Sequence, residues 1–189
     1  MLVGLTGPAG SGKNAVADIL CRRHKFFQIG FADPVYKAVA AITGLSDQQL
    51  RDRRVKETTI EWLGKSPREL LQLLGTEFGR NMIRDTIWID RAFHTIDAYR
   101  KYARMAAPVV ITDVRFPNEA QAVKGRGGLV VLVSRSGAGL SGAAGSHSSE
   151  AGIDPAMISL TINNDGTLAD LQAAVDATFP TLQTVTMEL

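Results

Sequence analysis

Cysteine, long apolar runs and leader-like segments are nearly absent from this sequence. Cys21 is the single cysteine among 189 residues, which excludes an internal disulfide framework and suits a reducing cytosol. No apolar run approaches the ~18 residues that a membrane-spanning helix requires. The first residues also lack the basic and then apolar layout of a secretory signal peptide. These absences predict a soluble cytoplasmic protein with no membrane partner.

An excess of one charge is also missing. The 21 Lys and Arg residues nearly balance the 19 Asp and Glu residues, which leaves a net charge of +2. Because no run of basic residues accompanies the pI of 8.8, no nucleic-acid partner is predicted. Hydrophobic residues make up 45% of the chain, enough for an ordinary globular core. The length predicts a single domain over residues 1–189.

Five short apolar runs rich in β-branched residues are predicted to be strands. Several are apolar throughout, which is typical of a parallel sheet that helices cover on both faces. Helical patterns lie between the runs, so the sequence predicts a three-layer α/β fold with a five-stranded parallel sheet. The predicted strands are Leu2–Thr6, Phe26–Phe31, Val109–Thr112, Leu129–Val133 and Ile158–Ile162.

A helix start is predicted at Ser66. Ser66 and Glu69 have the spacing of a capping box, and Pro67 occupies the first helical position. Hydrophobic residues follow at helical spacing. The buried stripe of this helix is predicted to be Leu70, Leu71, Leu74 and Phe78.

Two segments exceed what a minimal alternation of strands and helices needs. Residues 33–107 hold several helical patterns between the second and third strands, and residues 134–150 are dominated by glycine, serine and alanine. The composition of residues 134–150 favours a flexible surface connection. The functional alternative for the same residues is a mobile lid over a phosphate-transfer site.

A glycine-rich loop joins the first predicted strand to the first predicted helix. Its sequence, Gly7-Pro8-Ala9-Gly10-Ser11-Gly12-Lys13, is the GxxxxGK pattern in its proper context. Glycines let successive N–H groups point at phosphate oxygens, and the helix N-terminus adds its positive end. Lys13 can bridge the β- and γ-phosphates of ATP. The alternative is a glycine-rich turn that binds no ligand.

Two residues are candidate magnesium ligands. The position after the loop lysine is usually Ser or Thr, whose hydroxyl binds Mg²⁺, and here it is Asn14. An amide oxygen can bind a hard cation or hold one of its waters. Asp113 follows an apolar strand, as a Walker B carboxylate does, at the sheet edge where ligands bind. Its alternative role is to cap a helix.

Arg115 stands two residues beyond Asp113. This placement predicts that its side chain lies near the transferred phosphate. Arginine suits that role because its charge is permanent and its donors are arranged as a fork. Asp113, Arg115 and Lys13 are therefore the predicted catalytic residues.

Several motifs follow one another in order along the chain. They are FADPVYKAV, PRELLQLLGTEFGR with a following DTIWID, ITDVRFPNEA, SHSSEAG and TINNDGTLADL. With the phosphate loop they resemble the phage-type deoxynucleoside monophosphate kinases from Met1 to about Val175. The loop is shared by many families, whereas ITDVRFPNEA combined with GTEFGR and the H-x-S-E segment is considerably more specific.

The resemblance implies a P-loop kinase fold that uses ATP and Mg²⁺. Residues 33–107 would form a helical acceptor-binding region, and residues 134–150 would form a short lid. In this family the residue after the loop lysine is often neither Ser nor Thr, as at Asn14. The residues implied to contact the ATP phosphates are Gly7, Ala9, Gly10, Ser11, Gly12, Lys13, Asn14, Ala15 and Val16.

The acceptor site is implied by the same resemblance. Arg68 and Gln72 are four residues apart on one helix face, from which they could reach a monophosphate and a base edge. Trp88 would stack on the base or, alternatively, pack in the core. Arg135 would close over the phosphates with the lid. The full implied set is Asp33, Lys37, Arg68, Gln72, Arg80, Trp88, Arg135, His147 and Glu150, with helix capping as the alternative for Glu150.

The predicted reaction transfers the γ-phosphate of ATP to a deoxynucleoside monophosphate. Within enzymes, the alternative is another small-molecule P-loop kinase such as a dephospho-coenzyme A kinase. From a different class, the alternative is a nucleotide-binding switch, which would bind ATP without acceptor-dependent ADP production. The resemblance is compatible with a homodimer, and a phage origin would place the protein in the host cytoplasm.

Overall fold

The structure is a computed structural model that describes residues 1–103, 107–139 and 152–187. The chain divides into two compact units. The sheet unit contains residues 1–30 and 93–189, and the helical unit contains residues 31–92. Across the described ranges, no helix is both long enough and apolar enough to cross a membrane.

The sheet unit is built on one parallel sheet. In the described part of the chain this sheet has five strands in the order β2-β3-β1-β4-β5, which confirms the predicted α/β architecture. The observed strand ends differ from the predicted ones by at most two residues, and the last strand starts two residues late, after a short 3₁₀-helix at Pro155–Met157. The strands are β1 (Leu2–Thr6), β2 (Phe27–Ile29), β3 (Val109–Ile111), β4 (Leu129–Ser134) and β5 (Leu160–Asn163).

Helices cover both faces of the sheet. Because side chains alternate along β1, its residues therefore pack against helices on either face. Val3 and Leu5 are fully buried in one cluster with residues of the first and last helices. Gly4 points to the other face, where a Cβ atom would approach a methyl group of Val123 to 3.2 Å. The helices of this unit are α1 (Lys13–His24), α7 (Pro117–Gly125), α8 (Leu168–Met187) and most of α6 (Ile87–Ala103), which begins in the helical unit.

The helical unit packs short helices around Val39, Leu50 and Leu70. The predicted capping box is confirmed: the Ser66 hydroxyl accepts from the Glu69 amide, and the Glu69 carboxylate accepts from the Ser66 amide at 2.8 Å. The elements are α2 (Asp33–Thr43), α3 (Asp47–Arg51), α4 (Arg53–Glu57), α5 (Pro67–Gln72) and a π-helix (Leu73–Ile83) that continues α5.

The π-helix corrects the predicted buried stripe. Leu70 in α5 is buried as expected, but Phe78 is 49% exposed. The prediction assumed the α-helical period throughout, whereas hydrogen bonds from residue i to i+5 widen the turn beyond Gln72. Phe78 therefore no longer lies on the face that Leu70 presents to the core.

Candidate active site

The phosphate loop lies at the carboxyl end of β1, in the middle of the sheet. Its glycines use backbone angles that other residues avoid, with φ of 133° at Gly7 and 101° at Gly12. At Gly7 the surroundings add a second constraint, because a Cβ atom would overlap the carbonyl oxygen of Val133 on the adjacent strand. The loop therefore curls tightly against the strand ends before α1 begins at Lys13.

Lys13 folds back over this loop. Its Nζ atom donates to the carbonyl oxygens of Gly7 at 2.7 Å and Pro8 at 2.9 Å. The Ser11 hydroxyl lies fully buried in the same loop, and it has no hydrogen-bond partner in the described part of the chain. An ammonium held at the loop and a buried polar atom within it fit an anionic phosphate ligand.

The remaining residues that are predicted to contact the ATP phosphates lie in the first turn of α1, where their surroundings differ. Asn14 is exposed and available to a ligand, and Ala15 packs partly against the core. The side chain of Val16 is fully buried in the core, and its N–H donates to the Gly12 carbonyl at 3.1 Å. The contact of Val16 with a phosphate stays a prediction.

Arg115 is held beside the strand ends through its backbone. The carboxylate of Glu119, in the first turn of α7, accepts from the Arg115 amide at 2.6 Å and from the Phe116 amide at 3.0 Å. Glu119 is only 2% exposed, so water does not compete for these bonds. The turn between β3 and α7 is thereby fixed, and Asp113 lies within it.

A cleft of about 280 Å³ brings Lys13 and Arg115 to one site in the sheet unit. The two side chains therefore border a common space, and their catalytic role stays a prediction. Most other lining residues are apolar or glycine, which lowers the local dielectric and strengthens the field of the two cations. The remaining lining residues are Thr6, Gly7, Pro8, Val114, Leu132, Gly152, Ile153, Pro155 and Ile158.

Asn14 and Asp113 carry the oxygen donors that a magnesium ion prefers, and their binding of that ion stays a prediction. Among the described residues, no three His, Cys, Asp or Glu side chains cluster as a metal cage. Magnesium is commonly held by one or two protein oxygens, several waters and substrate phosphates. An exposed amide at the loop and a carboxylate at the adjacent strand end match that donor set.

In the helical unit, Asp33 is paired with a residue that the sequence analysis did not select. Arg51 donates to Asp33 at 3.2 Å and to Asp47 at 2.7 Å. Burial by itself would lower the pKa of Arg51, but the hydrogen bond and charge of Asp47, assisted by Tyr36 and Asp33, raise it. Arg51, the last residue of α3, is therefore a permanent cation beside Asp33, the first residue of α2. Lys37 is exposed on the same helix.

Arg68 and Gln72 both lie on α5, as predicted. The Arg68 side chain is 15% exposed, and its Nε donates to Glu57 at 2.6 Å. Their contact with a monophosphate and a base stays a prediction.

Trp88 packs against the π-helix. Its indole N–H donates to the Gly75 carbonyl at 2.7 Å, and its ring lies directly against Gly79. These contacts agree with the packing alternative, and base stacking stays a prediction. Arg80 belongs to the same π-helix, and its guanidinium donates to the Asp85 carbonyl at 3.0 Å.

The predicted lid is described only at its beginning. Arg135 is exposed directly after β4, and the Gly139 amide donates to the Ala9 carbonyl of the phosphate loop at 2.9 Å. Residues 140–151 lie outside the described residues, so the predictions for His147 and Glu150 do too.

Comparison with known proteins decides the family. Residues 48–175, more than half of the chain, match the family described as deoxynucleotide monophosphate kinase. The chain belongs to that family. This kinase is 34% identical over 145 residues to a protein of Acanthamoeba polyphaga mimivirus that has been assigned as a deoxynucleotide monophosphate kinase. That match covers 72% of this chain and 75% of the viral one.

A second relative is the deoxynucleoside-5'-monophosphate kinase of Escherichia phage T5. It is 28% identical, over 66% of this kinase and 72% of the phage protein. Among solved structures, TT1252 from Thermus thermophilus has a TM-score of 0.54 and 21% identity, over 96% of this chain and 97% of its own. Dephospho-CoA kinase from Campylobacter jejuni has a TM-score of 0.50 and 14% identity, over 95% of both chains. These two structures support the P-loop kinase fold alone.

Three residues of the kinase were missed or only partly recognised from the sequence. Glu119 stands three residues after Phe116 and two after Pro117, a helix-start spacing that could have revealed it. Arg51 had a local signal only for its pairing with Asp47 four residues earlier, because its other partner, Asp33, is 18 residues away. Asn164 lies in the TINNDGTLADL motif, but its contact with the phosphate loop depends on the tertiary structure.

Proposed function

We propose that this protein transfers the γ-phosphate of Mg·ATP to the 5'-phosphate of a deoxynucleoside monophosphate, which yields ADP and the deoxynucleoside diphosphate. The observation that carries the proposal is the cleft shared by Lys13 and Arg115 at the phosphate loop. Membership of the deoxynucleotide monophosphate kinase family supports the acceptor class. The viral relatives support a setting in the cytoplasm of an infected host cell.

Phosphoryl transfer to an anionic acceptor requires positioning and charge stabilisation rather than a strong base. An acceptor phosphate oxygen, already anionic, forms the new bond to the γ-phosphorus, while the bond to the β–γ bridging oxygen breaks and ADP leaves with its electron pair. Lys13 and Arg115 offset the charge that shifts between these oxygens. Magnesium, held by Asn14 and Asp113, would supply further neutralisation of the phosphates.

We further propose that the helical unit supplies acceptor contacts. Arg80 and Arg68 are its candidates for the monophosphate, because guanidinium groups bind phosphate with two parallel donors. Asp33 and Gln72 are candidates for the sugar and base, since each carries oxygen acceptors that can read hydroxyl or amino groups. Arg135 is the candidate cation at the start of the lid.

The test is ADP release from Mg·ATP with each deoxynucleoside and ribonucleoside monophosphate offered in turn. We expect strong stimulation by one or more deoxynucleotides. If folded protein binds ATP but no monophosphate stimulates ADP release, the proposal is wrong. Dephospho-coenzyme A as the stimulating acceptor would instead identify the alternative kinase, and unstimulated slow hydrolysis would identify a switch.

Arg115→Ala is expected to lower kcat by roughly 100-fold, because one preorganised cation is lost where charge develops. Arg22→Ala is the control, since Arg22 is exposed near the other end of α1, about 13 Å along the helix from Lys13. Steady-state kinetics with saturating ATP measures the effect. Normal turnover by Arg115→Ala would exclude the role proposed for this side chain.

A further inference from the structure

Asn164 connects the turn after β5 to the phosphate loop. Its side-chain amide is buried, with the residue 7% exposed, and Nδ2 donates to the Ser11 carbonyl at 2.8 Å. Its backbone N–H donates to the Ser134 carbonyl at the end of β4, also at 2.8 Å. One residue is thus fixed to the sheet by its main chain and to the phosphate loop by its side chain.

The contact continues at the next residue of the loop. Gly12 has φ of 101°, and a Cβ atom there would overlap the Asn164 amide nitrogen. Glycine at this position therefore gives the backbone its unusual angle and also leaves room for Asn164. Because glycine restricts its backbone so little, the peptide between Ser11 and Gly12 would rotate easily without an anchor.

The geometry of that peptide makes the anchor relevant to phosphate binding. In a trans peptide, the C=O and N–H groups point in opposite directions. When Asn164 holds the Ser11 carbonyl, the Gly12 N–H must therefore point away from Asn164. If the peptide rotated by half a turn, a carbonyl oxygen would take the place of that N–H and repel an anionic ligand.

Two further hydrogen bonds secure the same corner of the sheet unit. The Asp165 carboxylate accepts from the Ser136 amide at 2.6 Å, and the Gly139 amide donates to the Ala9 carbonyl at 2.9 Å. The Ser136 amide also lowers the pKa of Asp165. The turn after β5 and the residues after β4 thus support the phosphate loop together.

We infer that Asn164 is a positioning residue, which fixes the Ser11–Gly12 peptide in the orientation that binds nucleotide phosphates. This inference rests on the nucleotide binding in the proposed function and is independent of which acceptor is used. It adds to the loop a residue that lies 153 positions away from Ser11 in sequence.

The experiment compares Asn164→Ala and Asn164→Asp with Asn163→Ala, using Mg·ADP and Mg·ATP as probes in isothermal titration calorimetry. Asn163 is the matched control, because it is the same residue type, adjacent in sequence and exposed. We expect Asn164→Ala to raise the Kd of both nucleotides about 10-fold, through loss of a buried hydrogen bond that orients a ligand donor. Asn164→Asp should raise it more, because its ionised carboxylate faces the Ser11 carbonyl without a donor. Asn163→Ala should bind like the wild type.

A second readout distinguishes a positioning role from a purely structural one. If Asn164 positions the phosphate loop, its substitution should raise the KM for ATP and leave the KM for the acceptor unchanged. Amide hydrogen exchange of residues 7–14 in the nucleotide-free protein should also be faster in both Asn164 variants than in the control. If Asn164→Ala does not fold, the nearly isosteric Asn164→Asp carries the test.

Two negative outcomes can be told apart. Folded Asn164 variants with the nucleotide Kd and exchange rates of the control would overturn the inference and leave the proposed reaction intact. Wild-type protein that binds nucleotide but phosphorylates no monophosphate would refute the proposed reaction, while the binding comparison would still test Asn164.

Discussion

Replacing Lys13 with alanine is expected to lower kcat for phosphoryl transfer by roughly 100- to 1,000-fold. Lys13 is the one ammonium that begins α1 directly at the phosphate loop, and it lines the same cleft as Arg115. Without it, charge that moves toward the bridging oxygen during transfer meets one cation fewer in a largely apolar space. Steady-state ADP release with the best acceptor from the substrate panel measures the loss.

The fold should tolerate this substitution. The Lys13 ammonium bonds to the carbonyls of Gly7 and Pro8 within its own loop, and these carbonyls can bind water once the side chain is removed. We therefore expect the thermal midpoint of Lys13→Ala to stay within about 2 °C of wild type, in line with a change of under 1 kcal/mol. Lys101→Ala, at an exposed position of α6, controls for loss of a positive charge. Substantial turnover by folded Lys13→Ala would refute the assigned role.

Gly79→Ala is expected to destabilise the protein by about 2 kcal/mol, although Gly→Ala inside a helix is normally stabilising. A Cβ atom at residue 79 would lie 2.7 Å from Cε2 and 2.8 Å from Nε1 of Trp88. The indole must then move, which also breaks its hydrogen bond to the Gly75 carbonyl. Chemical denaturation followed by circular dichroism measures the free energy of unfolding.

Gly75→Ala is the matched control because it lies in the same π-helix. Its Cβ atom would meet only the Val35 methyl groups, at 3.7 and 3.8 Å, which is ordinary van der Waals contact. We expect this variant to be as stable as wild type or slightly more stable. If Gly79→Ala and Gly75→Ala have the same free energy of unfolding, packing of Trp88 against Gly79 does not stabilise the π-helix.

The contact between Trp88 and the π-helix is also expected to affect the position of Arg80. In a π-helix, the amide of residue 80 pairs with the carbonyl of residue 75, which is the carbonyl that Trp88 also binds. Displacing the indole should therefore disturb the backbone that carries the Arg80 guanidinium. We expect Gly79→Ala to raise the KM for the acceptor while the KM for ATP changes little.

The sequence by itself determined the elements whose signals are local. The phosphate loop, the capping box at Ser66 and the apolar strands depend on residues close to one another in the chain. Parallel strands also share one edge for their carboxyl ends, so the approach of Lys13 to Arg115 could be predicted without coordinates. Only contacts between distant segments remained to be decided.

The tertiary structure decided those contacts. Phe78 is exposed because it lies in a π-helix, which the α-helical period of the sequence does not reveal. Trp88 contacts this π-helix at the Gly75 carbonyl, 13 residues away in sequence. Asn164 reaches Ser11 because β5 and β1 end at the same edge of the sheet with β4 between them. Each of these outcomes depends on contacts between residues that are distant in sequence and meet only after folding. Local sequence patterns do not predict such contacts.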